Sequence, residues 1–397
     1  MDLSRFLEWN KISLDDVFSQ ANASLELVTG DVLFAAGSVV EGLGNYRSDL
    51  DLILITQRND IQYTSLNDVT VTVGDCIIDI RVIQFAELEY LLMYFDQWSK
   101  QPREPRRAKQ FTEAERMLLH RLRTGQPIYG ETLFGQLRNQ VNPTELARLK
   151  LDFARHFAST IQVDLDGFRT VGDHYSMLFA AQELLGHTID ALLAGYRRTN
   201  PYPKWRVRLL QDLPKNWDMQ IPGRIDGLDP VQTFLKLHCA IQNDVPTKIF
   251  DHALQIVAFS RRVFPWAEYS LLDSQREQLS EGLIGSSASV STFLEEPVLP
   301  HLNLDVEVSY QDNQLELRCL NRRENLYMLS PQMYLLLCLF DGKTTETEVV
   351  SYLEKLNSKN TFTVSLDEAK ALVRYANLQA KPIFNQSQLD SIFSRFS

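Results

Sequence analysis

The stretch Phe34 to Thr56, FAAGSVVEGLGNYRSDLDLILIT, constrains the fold of this chain more than any other. An apolar run, Val32 to Ala36, stops at Gly37-Ser38. After ten intervening residues Asp49 and Asp51 flank Leu50, and Leu52 to Ile55 follow. This pattern reads as a strand over 31–39, a tight Gly-Ser turn, a short helix or loop, and a second strand over 48–56 that opens on two carboxylates. Residues i and i+2 of a strand point to one side, so Asp49 and Asp51 share a face. Adjacent carboxylates repel each other and are costly unless a cation sits between them. Taken alone, the pair reads as a solvated strand end, where acidic residues are common.

Two further features favour the cation. Gly37 lets the backbone approach a ligand, and a strand-to-helix turn offers free N–H groups to an anion such as phosphate. Ser38 adds a hydroxyl. Downstream, Cys76 to Phe85 (CIIDIRVIQF) is a third apolar strand with one acid, Asp79, between Ile78 and Ile80. A carboxylate in such a run needs a partner. Arg81, at i+2 on the same face, is the structural candidate; a shared metal site with Asp49 and Asp51 is the functional one. Three carboxylates beside an anion-binding turn are what metal-assisted nucleotidyl transfer requires.

The combination of Gly37-Ser38, Asp49-Leu50-Asp51 and Ile78-Asp79-Ile80 resembles the signature of the DNA polymerase beta-type nucleotidyltransferase superfamily. The resemblance covers about the first quarter of the chain. It implies that Asp49, Asp51 and Asp79 are catalytic and hold two Mg2+ ions, with Asp79 also helping to deprotonate the acceptor. It implies that Gly37 and Ser38 bind the outer phosphates of a nucleoside triphosphate, ATP being the expected one. In such enzymes a helical domain closes the cleft and can bring a cation to the triphosphate. Lys204, in the Pro-rich turn NPYPKW ahead of Arg206 and Arg208, is the candidate here.

The rest of the chain sets the domain plan. Its 397 residues suffice for two or three domains. An α+β architecture is expected: a small mixed catalytic sheet over 1–98, a helical domain over 110–282 and a winged-helix-like module over 300–397. Ser13 with Asp16, and Thr112, read as helix caps, and Asn142 starts another helix. Ala86 to Lys100 places Leu88, Leu91, Leu92 and Phe95 at helical spacing. The long helix over 173–197 offers Met177, Phe179, Leu184, Leu185, Ile189, Ala191 and Leu192 to a core. KQPREPRRAKQF (100–111) reads as a solvated basic link whose Arg103, Arg106, Arg107 and Lys109 could alternatively reach phosphate. None of the seven histidines pairs at metal-ligand spacing, and the four cysteines (Cys76, Cys239, Cys319, Cys338) read as buried thiols.

Past a Gly/Ser/Pro-rich linker over 281–300, alternating strands (Val306 to Leu320, turning at Asp312-Asn313) precede three helices. This tail loosely resembles PqqD-like peptide-recognition domains, through Leu326-Tyr327-Met328-Leu329-Ser330 and the segment LFDGKTTETEVV (339–350). That resemblance implies a leader peptide bound as an added strand. The same pattern also serves DNA-binding winged helices and dimerisation tails.

A net charge of −11 argues against a body built to grip long nucleic acid. No apolar run is long enough for a membrane span, and the N-terminus lacks a signal pattern, so a cytoplasmic protein is expected. The expected function is magnesium-dependent transfer of NMP from an NTP to a small-molecule or peptide acceptor, with release of pyrophosphate. The alternatives are a catalytically inactive nucleotide-binding regulator and an RNA or tRNA nucleotidyltransferase.

Overall fold

Leu52 to Ile55 is an unbroken apolar run because its strand is covered on both faces. This follows from a computed structural model, which describes residues 1–58, 68–215, 217, 229–238, 246–272, 306–311, 314–319, 326–329, and residues 334, 337–339 and 344. The fold is α+β. The chain divides into two interleaved units. One comprises residues 1–102, 110–146 and 199–208, the other residues 103–109, 147–198 and 209–397.

The first unit opens with helices α1 (Leu3–Asn10) and α2 (Leu14–Leu25). Ser13 and Asp16 form the expected capping box on α2. Strand β1 (Val32–Ala36) ends at Gly37, where the one-turn helix α3 (Gly37–Val40) begins. Val39 is therefore helical, not the end of the strand. Strands β2 (Leu50–Thr56), β3 (Asp68–Val73) and β4 (Cys76–Gln84) follow, the last two forming the expected hairpin around Gly74-Asp75. Helix α4 (Phe85–Ser99) buries Leu88, Leu91, Leu92 and Phe95, as their spacing predicts. The one-turn α5 (Pro105–Ala108) precedes α6 (Glu113–Thr124), capped by Thr112 and Glu115. Then come β5 (Gln126–Tyr129), α7 (Glu131–Gln140) and the start of α8 (Pro143–Val171), where Asn142 accepts from the Thr144 N–H.

The sheet order is β3-β4-β2-β1-β5. β1 is antiparallel to β2 and β5, β4 is antiparallel to β3, and the central β2-β4 pair is parallel. One face carries Leu33, Ala35, Leu50, Leu52, Leu54, Ile78, Ile80 and Val82, buried against Phe6, Val17 and Ala21 of α1 and α2. The other carries Phe34, Ile53 and Ile55, also buried. Phe34 packs on Phe134 of α7 with ring centroids 5.0 Å apart. Fully burying one such side chain contributes roughly 1.5–3 kcal/mol, so two covered faces hold the central strands rigidly.

The second unit is built on α8 from residue 147 onward, α9 (His174–Gly195), the last three residues of α10 (Arg206–Gln211), α11 (Pro230–His238) and α12 (Pro246–Ser270). Six of the seven expected core residues of α9 are buried. Phe179 is instead 72% exposed, because it projects from the solvated side of the helix start. Helix α12 runs through Pro265 with almost every residue from Ala253 to Glu268 buried. Here tertiary packing overrides the local helix-breaking preference.

Arg103 is neither solvated nor set for phosphate: it pairs with Asp152 at 2.7 Å and Glu268 at 3.2 Å. Arg155 bonds Glu268 at 2.7 Å and Glu307 at 2.9 Å, and Arg318 bonds Glu307 at 2.6 Å. This buried chain of charges joins α8 and α12 to the three-stranded antiparallel sheet β6 (Val306–Gln311), β7 (Gln314–Cys319) and β8 (Leu326–Leu329). The expected linker over 281–300, the helices after residue 330 and Cys239 lie outside the described residues. Cys76 and Cys338 are buried free thiols. Among the described residues, no helix is long and apolar enough to cross a membrane.

Candidate active site

Two of the three predicted acids meet because β2 and β4 run parallel. Asp51 stands directly opposite Asp79 in the register, and both occupy the sheet face away from α1 and α2. Asp49 lies one residue before β2 and is exposed, so it belongs to the loop and not to the strand. It remains near enough to act electrostatically on Asp51. Burial pushes the Asp51 carboxyl above the usual carboxylate range, Arg121 pulls it back, and Asp49 and Asp79 add to the rise.

Gly37 presses directly on this carboxylate. Its φ of +78° is a conformation that L side chains rarely adopt. A Cβ built there would fall 2.1 Å from Asp51 Oδ2. Only glycine lets the turn sit against the acid. The Ser38 carbonyl accepts from the N–H groups of Leu43 and Gly44, both at 2.8 Å, which fixes the loop that leads to Asp49.

The other Asp51 oxygen has a partner that sequence reading missed. Arg121 Nη2, in the last turn of α6, donates to Oδ1 at 3.0 Å. Asp51 keeps 24% of its side-chain surface exposed. On Asp79, Oδ1 accepts from the Thr70 hydroxyl at 2.8 Å. Each register-paired acid therefore has one oxygen positioned by a neighbour.

Lys204 lies in the segment 199–208, exposed, with its ammonium 5.5 Å from the Tyr202 ring centre and 5.1 Å from that of Trp205. A second missed network ties this segment to the Gly-Ser turn. Asn200 Nδ2 donates to both carboxylate oxygens of Glu41, at 3.0 and 3.1 Å. His120, only 2% exposed, lies between Glu41 Oε1 at 3.0 Å and the Thr199 hydroxyl at 2.9 Å. Glu41 caps the C-terminal end of α3, so one carboxylate links the turn, α6 and the Lys204 segment. The sequence gives no local sign of this, because the partners are 79 and 159 positions apart.

Among the described residues, no group of three His, Cys, Asp or Glu side chains forms a ready-made metal cage. The donor set nevertheless fits magnesium, which is a hard cation held by one or two carboxylates plus substrate phosphates and waters. Asp51 with Asp79 or Asp49 supplies such a pair.

No protein-family model matches the chain, and no curated protein matches it. Among solved structures, it is similar to a nucleotidyltransferase-like protein from Exiguobacterium sibiricum 255-15. The identity is 13%, the TM-score 0.37, and the match covers 67% of this chain and 80% of the other. An overlap that loose does not discriminate between functions.

Proposed function

We propose that this chain is a nucleotidyltransferase that moves NMP from an NTP, ATP being the expected one, to the hydroxyl of a small-molecule or peptide acceptor. The observation that carries the reading is the pressing of Gly37 against Asp51 while Asp79 stands opposite in the register. A buried strand end has no structural need for a left-handed glycine packed on a carboxylate. A nucleotide site needs a turn whose bare backbone lies beside the acids.

In this reading the Gly37-Ser38 turn receives the outer phosphates and Lys204 approaches them from the segment anchored by Asn200. Asp51, oriented by Arg121, faces the α-phosphate region. Asp79, oriented by Thr70, accepts the acceptor's proton. The acceptor oxygen forms a bond to the α-phosphorus as the bridging bond to the β-phosphate breaks. The electron pair of that bond leaves with pyrophosphate. Two magnesium ions bound at Asp49, Asp51 and Asp79 would neutralise phosphate charge and lower the acceptor's pKa. The loop position of Asp49 lets its carboxylate adjust to a bound nucleotide, whereas the strand fixes Asp51 and Asp79.

One observation favours a second reading. The ion pair with Arg121 gives Asp51 a structural partner, which suits an inactive nucleotide-binding regulator. Incubation with each α-labelled NTP, magnesium and panels of peptide and small-molecule acceptors separates the two readings. Transfer lost in Asp51→Asn and Asp79→Asn supports the enzyme. NTP binding without transfer in the wild-type chain supports the regulator.

A further inference from the structure

Beyond Asp51 and Asp79 the same sheet face runs into a cavity. Ile53 follows Asp51 along β2, and Arg81 and Ile83 follow Asp79 along β4, because alternate residues of a strand share a face. With Leu91 of α4 and Met117 and Leu118 of α6, Ile53 and Ile83 line a space of about 580 Å³. Ile53, Leu91 and Met117 are buried, so the wall is largely apolar. Tyr90 also lines it, from α4, with 63% of its surface exposed. A seated ligand would cover that ring.

The charged groups of the wall are Arg81, Arg121, Glu87 and Glu115. Arg121 is paired with Asp51 at 3.0 Å, and Arg81 is already engaged within the chain. An anion in the cavity therefore finds its two cations taken. Glu115 accepts from the Thr112 N–H at 2.7 Å and from the Thr112 hydroxyl at 2.8 Å. Glu87 is exposed on the first turn of α4, where a helix N-terminus favours its charge. A cation in the cavity would face both guanidinium groups and gain only a solvated carboxylate. Enclosing an unpaired charge is costly, so the cavity suits an uncharged molecule. Its volume falls in the range of small-molecule sites, about 300–1,000 Å³.

We propose that the cavity is an effector site for an uncharged, ring-sized aromatic molecule, whose binding promotes nucleotide binding by steadying Asp51 through Arg121. The effector role rests on the nucleotidyl-transfer reading; the ligand site itself does not. Arg121 lines the cavity, keeps 11% of its side chain exposed and donates to Asp51 Oδ1. A ligand seated against it removes solvent from that side, and the attraction within the ion pair grows as the local dielectric falls. Oδ1 is then held more firmly. Oδ2, the oxygen that Gly37 leaves room for, stays directed at the turn where this reading places the phosphates. Less ordering of the carboxylate remains when nucleotide arrives. Such coupling is reciprocal, so bound nucleotide raises the affinity for the effector by the same factor.

The test uses the full chain and two fluorescent probes of similar shape, uncharged 2-naphthol and anionic 2-naphthoate. 2-Naphthol should bind saturably, and 2-naphthoate about tenfold more weakly or worse. Leu118 and Ala114 both line the cavity. Leu118→Trp and Ala114→Phe each fill part of it and should weaken 2-naphthol about tenfold, with a thermal melt confirming that each variant folds. Unchanged affinity in both folded variants, or naphthoate binding as tightly as naphthol, overturns the site. The coupling is read as the ratio of 2-naphthol affinities with and without magnesium and an NTP whose α–β bridging oxygen is replaced by methylene. The loaded wild-type chain should bind 2-naphthol about fivefold more tightly or better, and Arg121→Leu should abolish that difference. Equal affinities in the loaded and unloaded wild type, or a difference that survives in Arg121→Leu, overturns the effector role. A chain that binds 2-naphthol but no nucleotide defeats the nucleotidyl-transfer reading, and with it the effector role, while the ligand site stands.

Discussion

Replacing Gly37 with alanine tests the turn most sharply, and the structure supplies its own control. A Cβ at position 37 would lie 2.1 Å from Asp51 Oδ2, whereas real contacts do not fall below 3.0 Å, so the carboxylate must retreat by about 0.9 Å (3.0 − 2.1). The new residue would also hold φ near +78°, which costs an L residue about 1–2 kcal/mol. Gly42 has nearly the same φ, +75°, but nothing within 4 Å of its Cβ position. Gly42→Ala therefore reports the backbone strain alone. Both variants should lose about 1–2 kcal/mol of stability, a fall in Tm of about 2–8 °C for a unit of this size. Only Gly37→Ala displaces a reacting group by about 1 Å, which costs about 100-fold in rate. The assay is NTP turnover beside a thermal melt of each variant. A Gly37→Ala chain that turns over NTP within threefold of Gly42→Ala would refute the claim that the turn and Asp51 work as one unit.

Arg121→Leu should lower turnover about 10- to 100-fold through loss of Asp51 orientation, and Arg121→Lys should restore part of it; equal rates in all three chains would count against the orienting role. Asn200→Ala should free the segment 199–208 from Glu41 and raise the apparent KM for NTP while leaving kcat within a few-fold, as read from steady-state kinetics. Glu307→Gln should destabilise the second unit by about 3–5 kcal/mol, because it removes one of the two carboxylate partners of the buried Arg155, and chemical denaturation measures this. The Glu307 carboxyl is pulled below its usual range by Arg155 and Arg318 against the upward push of burial. A depressed folded-state pKa stabilises above the unfolded value and loses that contribution as pH falls through the folded one. Stability from this network should therefore persist down to about pH 4.5 and decline only below it, a decline that Glu307→Gln abolishes in pH-dependent melts. Removing residues 300–397 should destabilise the second unit for the same reason, since Glu307 is 1% exposed against Arg155.

What could be read from the sequence was local. The Ser13-Asp16 box and the Thr112 cap are local features and appear as expected, and Glu115 completes a box at Thr112. The apolar runs of β1, β2 and β4 and the Gly74-Asp75 hairpin were equally plain, and they bring Asp51 beside Asp79 once β2 and β4 pair in parallel. Strand β5 escaped notice because QPIY is four residues long and contains Pro127, which is tolerated only because the strand lies at the sheet edge. Arg103 was misread because its partners, Asp152 and Glu268, lie 49 and 165 residues away. Arg121 is one of several basic residues on an amphipathic helix, and nothing nearby in sequence distinguishes it from Arg123. Its contact with Asp51 spans 70 positions and exists only in the folded sheet.

The most direct measurement is pyrophosphate release from each of the four NTPs in the presence of magnesium, by the wild-type chain and by Asp51→Asn at matched folded concentration. Magnesium-dependent release by the wild type that falls at least 100-fold in the variant is the expected result. Release that the substitution leaves intact would contradict the assignment of the chemistry to this strand.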